Sequence, residues 1–131
     1  MTLVSPGKPA RTKSFWADVK LDDTIYDMYT CPANCTAEVT MIHVVNANGN
    51  TSVFVYWDIA AANVPDALKA TYPTGYKSNI VGGKNMSVGE YFTLSGATLV
   101  LQPGDKIQNV PTSAGHIDTI ITVTETFVPV G

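Results

Sequence analysis

The sequence predicts an all-β fold, an antiparallel β-sandwich or jelly roll with at most one short helix, on three observations. Runs rich in β-branched and aromatic residues alternate with a period of two. Turn signals interrupt them about every 8–12 residues, the rhythm of sandwiches. Only one segment, 60–70, has a helical pattern, and it is short and weakly amphipathic.

Residues 24–30 mix Ile25, Tyr26, Met28 and Tyr29 and read as a strand that ends at the turn Pro32-Ala33-Asn34. Residues 36–45 are rich in β-branched side chains, but their alternation slips. Ala37 and Val39 fall on one face, Ile42 and Val44 on the other. One extra residue near Thr40 and Met41 restores a single apolar face, which predicts a β-bulge there. Asn48-Gly49, within Asn46-Ala47-Asn48-Gly49-Asn50, tolerates φ > 0 and predicts a hairpin. The return strand, 51–59, turns Val53, Val55, Trp57 and Ile59 inward and Ser52, Phe54, Tyr56 and Asp58 outward. Two aromatics on an outward face imply either a cover or a contact surface, so Phe54 and Tyr56 are candidate partner contacts.

The helix candidate 60–70 takes Asn63 as N-cap, with Pro65 near its first turn. Residues 72–88 hold Pro73, Gly75, Gly82 and Gly83 and read as a long excursion with a short strand near 78–81. Excursions of that length are often functional. A strand at 90–94 leads through Ser95-Gly96 to one at 98–102 that buries Leu99 and Leu101. Pro103-Gly104-Asp105 has the type II turn arrangement, and 106–110 returns from it. The last strand, 116–128, directs Ile117, Ile121, Val123 and Phe127 to one side and Asp118, Thr122 and Thr124 to the other. The total is seven or eight strands.

A chain of 131 residues allows one domain. With 45% hydrophobic residues it can bury a core, but only 15% are charged, against about 25% in average domains. Such a surface must be covered by Ser, Thr and Asn or by neighbouring protein. Charge is unevenly placed: residues 1–20 sum to +3 and residues 21–131 to −6. A body of that sign offers no phosphate-binding cluster, so no nucleic-acid partner is expected. No apolar run nears the about 20 residues of a membrane span, so no membrane partner is expected. Thr2, Pro6, Gly7, Lys8 and Pro9 follow Met1 without an apolar stretch, so no signal peptide is expected. Residues 1–20 read as an extended basic arm and first strand, and 21–131 as a single sandwich domain. Lys8, Arg11 and Lys13 are candidate contacts for an acidic protein surface, and deletion of 1–14 is expected to leave the sandwich folded.

No catalytic constellation emerges. His43 and His116 have no motif partner, and no serine lies in G-x-S-x-G. Gly82-Gly83-Lys84 lacks phosphate-loop spacing, and Asp22, Asp23 and Asp27 lack that of a calcium loop. Cys31 and Cys35, in C-P-A-N-C, do not form C-x-x-C and have no second ligand pair, so free thiols are expected. Asn34, Asn50 and Asn85 open glycosylation sequons that are expected to stay unmodified. The expectation is a protein that is no enzyme and holds no cofactor or metal.

Ile25-Tyr26, Tyr29-Thr30-Cys31-Pro32-Ala33-Asn34-Cys35-Thr36-Ala37-Glu38-Val39, then Ile42, Val44 and Asn46, resemble small virion proteins of tailed bacteriophages. Those proteins typically read y-T-v-P-a-x-T-x-A-x-V and then I-x-V-x-N. Leu99-Val100-Leu101-Gln102-Pro103-Gly104-Asp105-Lys106-Ile107 is similar to their L-x-L-x-x-G-D-x-I turn, and the final strand through Glu125 fits as well. The resemblance spans residues 24–125, and Cys31 and Cys35 depart from it where small or β-branched residues are usual. It implies a structural component located in the virion and made in the host cytoplasm. That component is most simply a capsid decoration (cement) subunit docked on the major capsid protein, and alternatively a tail or fibre module. It further implies a homo-oligomer, with a trimer favoured because phage lattices offer threefold positions. For a fibre module, Tyr72 and Tyr76, with Asn79 and Asn85, are candidate glycan contacts.

Overall fold

The computed structural model describes residues 10–19, 25–112 and 116–127. Its strands are β1 (Ala10–Val19), β2 (Tyr26–Thr30), β3 (Cys35–Asn48), β4 (Thr51–Ile59), β5 (Tyr76–Met86), β6 (Tyr91–Leu101), β7 (Lys106–Pro111) and β8 (His116–Phe127). They form two antiparallel sheets, ordered β1-β8-β3-β6 and β2-β7-β4-β5. First pairs with last, second with seventh, third with sixth and fourth with fifth. One long hairpin rolled over on itself gives that pattern, and it is the jelly roll.

The period-two patterns locate the core between the sheets. Ile117, Ile121 and Val123 of β8 meet Ala37, Val39, Ile42 and Val44 of β3, with Val53 and Val55 of β4 and Ile107 of β7 opposite. The expected bulge is present. Val39 and Met41 sit opposite Val123 and Thr122, so β3 spends two residue steps against one on β8 and both halves of the strand face the core. The hairpin and the type II turn also form as expected, with Gly49 at φ 74° and Gly104 at φ 90°, and Asp105 N–H donates to the Gln102 carbonyl at 3.0 Å.

Four expectations need correction. Residues 10–14 do not stand off the body, because they belong to β1, which pairs with β8 from Ala10↔Thr126 to Val19↔Ile117. Phe15 packs against the core, so the strand adds apolar surface as well as hydrogen bonds. A deletion through residue 14 therefore strips half of a paired strand. Residues 60–70 form two short 3-10 turns, Ala61–Asn63 and Asp66–Leu68, and no α-helix. The Asn63 side chain caps nothing and instead donates to Asp105 and to the Pro103 carbonyl. The excursion at 72–88 is mostly strand: β5 pairs with β4 along its whole length, with two register shifts near Gly82. Tertiary pairing overrides the glycines there. The segments 90–94 and 98–102 are one strand, β6, whose register shifts against β3 between Ser95 and Leu99 instead of turning back. Lys8, Asp22 and Asp23 lie outside the described residues.

Candidate functional site

β1 is fastened by a buried acid. Glu125 on β8 is 1% exposed, and it accepts from Arg11 Nε at 2.7 Å and Tyr29 Oη at 2.5 Å, with Lys13 Nζ at 3.6 Å. Burial raises its pKa, but the Tyr29 hydroxyl, the Arg11 guanidinium and the Lys13 charge outweigh burial and hold it below the usual carboxylate value. Burial and the carboxylate together push the Tyr29 phenol well above its ordinary pKa. Arg11 also lies over the Phe127 ring at 4.9 Å, and Lys13 over Phe15 at 5.0 Å. Two of the candidate contact cations thus spend their charge inside their own sheet.

A second buried acid pins the turn at the end of the sandwich. Asp105 accepts from Ala60 N–H (2.9 Å), Gln102 N–H (3.1 Å), Asn63 Nδ2 (2.7 Å) and Trp57 Nε1 (3.3 Å). Four donors on one carboxylate hold the 59–63 crossover against the β6–β7 turn. Cys31 and Cys35 are both free and buried nearby. Burial, with the Cys35 side chain next in effect, pushes the Cys31 thiol up to about 11, which suppresses the reactive thiolate.

Periodicity could have exposed Glu125, since it falls on the inward series of β8 that the apolar residues define. Asp105 was legible as part of the Pro103-Gly104-Asp105 turn but its burial was not, because three of its four donors come from residues 57–63, more than forty positions away.

The outer face of the second sheet carries Phe54 and Tyr56, stacked with ring centroids 6.1 Å apart. Both are half-buried, and the Phe54 ring lies over Gly83. Lys77, Asp58 and Gln108, and Lys106 with Asp27, form ion pairs and hydrogen bonds on the same face. Asp27 is held below its ordinary pKa mainly by the Gln108 amide. Tyr72 and Tyr76 meet edge to face at 4.8 Å. Asn79 follows on β5, but Asn85 lies near the far end of that strand beside Ser52, so the four glycan candidates do not converge.

Of the seven large exposed apolar side chains among the described residues, Leu68 and Val88 (56% exposed) lie in connections, and the other five lie on edge strands or at the entry to one. Trp16 (64% exposed) is on β1, Tyr91 (68%) and Val100 on β6, Tyr76 on β5, and Ile25 at the entry to β2. The outer face of the first sheet is low in charge and rich in hydroxyls: Thr12 bonds Thr124, Ser14 bonds Thr122, and His43 bonds Thr93. Beside the β6 register shift, Val39, Ile42, Ile80, Leu94 and Leu99 line an open groove of about 370 Å³. Among the described residues, no group of three or more His, Cys, Asp or Glu could hold a metal ion, and no helix is long and apolar enough to cross a membrane.

No family model matches the chain, and no curated protein does. Solved structures do match its fold. A chain of the Bacillus endospore appendages, a family of disulfide-linked pili, superposes with a TM-score of 0.52 at 10% identity and covers 98% of each chain. A chain of the acid-stable capsid of Helicobacter pylori bacteriophage KHP30 gives 0.50 at 13% identity, covering 93% of this chain and 94% of that one. At these identities the likeness is one of fold, and it runs nearly end to end.

Proposed function

We propose that the chain is a non-enzymatic structural subunit of a bacteriophage particle, most concretely a capsid decoration subunit docked on the major capsid lattice. The observation that carries this reading is the placing of Trp16, Tyr91, Val100, Tyr76 and Ile25 along sheet edges, on a surface poor in charge. A monomer in water gains nothing from exposing them, whereas a subunit held between neighbours buries them. The end-to-end match to chains from a capsid and a pilus supports a role in assembly, and the virion-like motifs of residues 24–125 favour the particle. The resemblance favours a trimer, because phage lattices offer threefold positions. Lys8 and the Phe54–Tyr56 face supply candidate contacts to the lattice.

The alternative is a tail or fibre module that binds host glycan, and the Tyr72–Tyr76 pair favours it. Incubating the tagged protein with purified undecorated capsids and, separately, with host envelope material separates the two. Cosedimentation with capsids alone supports decoration. Capture by the envelope fraction alone, lost in Tyr72→Ala/Tyr76→Ala, moves the assignment to the fibre module.

A further inference from the structure

We infer that β6 is an open acceptor edge that receives β1 of a second copy, so that the β1-β8-β3-β6 sheet runs on from subunit to subunit. The inference rests on the assembly-subunit reading above and names the contact that builds the assembly.

Edge strands normally carry a guard: charge, proline, shortness or strong distortion. β2 is guarded by its five-residue length and Asp27, and β5 by Lys77, Lys84 and two register shifts. β6 is eleven residues long and holds neither a charged residue nor a proline. Its first half, from Tyr91 to Ser95, pairs with β3 in regular register on one side and is an edge on the other. β1, the opposite edge of the same sheet, is ten residues long, and its cations Arg11 and Lys13 turn inward to Glu125. Over residues 10–16 its outward side chains are Ala10, Thr12, Ser14 and the exposed Trp16.

Strand parity makes the two edges compatible. Four antiparallel strands leave β1 and β6 running in opposite directions. A second copy in the same orientation therefore offers β1 antiparallel to β6, with inner and outer faces already matched. The contact is head-to-tail, so it closes into a ring or extends as a filament according to the rotation per step. Charge contributes little to this contact: β6 itself carries none, and Arg11 and Lys13 of β1 are already paired with Glu125 in their own sheet.

Matching the faces restricts the register. The outward residues Tyr91, Thr93 and Ser95 must oppose Trp16, Ser14 and Thr12. With Trp16 opposite Tyr91, aromatic meets aromatic, hydroxyl meets hydroxyl, and Phe15 falls opposite Phe92.

The test is a disulfide trap in the full chain. Within one copy β1 and β6 are three strand spacings apart, roughly 14 Å, too far for a disulfide. In Ser14→Cys/Thr93→Cys, mild oxidation should therefore yield a ladder of multiples of the 14.0 kDa chain on a non-reducing gel. A mixture of the two single variants should yield only dimer, and wild type, with both thiols buried, should yield neither. Thr93→Lys, at an exposed site, should keep the β-type circular dichroism spectrum and sediment as monomer where wild type self-associates. A single 14.0 kDa band for the double variant at high concentration overturns the inference, as does cross-linking of Ser14→Cys with itself or unchanged association of Thr93→Lys. Capsid binding without the ladder would sink this contact and leave the decoration reading standing. A ladder without capsid binding would do the reverse.

Discussion

Replacing Glu125 by alanine tests whether β1 is a fastened part of the sandwich. The carboxylate is buried and bridges three elements: β8 itself, β1 through Arg11 and Lys13, and β2 through Tyr29. Its removal leaves the buried Tyr29 hydroxyl without that acceptor, which costs about 1–3 kcal/mol. The pairs with Arg11 and Lys13 involve partly exposed side chains that water can rehydrate, so they add about 1 kcal/mol together. Glu125→Ala should therefore lower unfolding stability by about 2–4 kcal/mol. Tyr29→Phe alone removes a donor from an ionised acceptor and should cost about 1.5–3 kcal/mol. Because both substitutions break one bond, the double variant should cost at least about 1 kcal/mol less than their sum. Urea unfolding followed by circular dichroism gives all three values, and hydrogen exchange in Glu125→Ala should show β1 amides opening before those of β3. A loss under about 0.5 kcal/mol, or strictly additive costs, would refute the fastening argument.

Other consequences are open to the same assays. Glu125 titrates below its ordinary value of 4.5, so the folded state holds its proton less tightly than the unfolded chain. The stability it contributes is complete above that value and is lost as pH falls through the folded pKa, and Glu125→Gln should flatten this acid limb in urea melts. Asp105→Ala orphans two backbone N–H groups together with the Asn63 and Trp57 donors, so thermal unfolding should report a loss of about 3–5 kcal/mol, with Trp57 fluorescence shifted toward that of a hydrated indole. Gly83→Ala sets a Cβ 3.0 Å from Phe54 Cζ at φ 89°, whereas Gly96→Ala, at φ 82°, meets nothing within 4 Å. The first should cost about 1–3 kcal/mol and the second distinctly less.

Much of the fold was legible because it is written in side-chain period. The slip between Val39 and Ile42 located the bulge, and Asn48-Gly49 and Pro103-Gly104 located two turns, since each depends on residues close in sequence. What failed was non-local. Residues 10–14 looked like part of an arm because the ladder they join is formed with β8, more than a hundred residues away, and Glu125 neutralises the charges that made them look solvated. β5 looked like a loop because Gly82 and Gly83 weaken strand propensity, while pairing with β4 supplies what propensity lacks. At the candidate site, Phe54 and Tyr56 were found as an outward pair, but their partial cover by Gly83 and by each other was not visible in sequence. The apolar edge residues Trp16 and Tyr91 were missed because exposure at an edge depends on strand order, which local patterns do not encode.

The central claim is that this jelly roll is a building piece of a particle. Gold-labelled antibody against the chain, applied to intact cognate virions and viewed by electron microscopy, tests it most directly. A decoration subunit predicts gold spread over the capsid surface in many copies per particle. Particles without label, while the same antibody detects free protein in the infected-cell lysate, would contradict it.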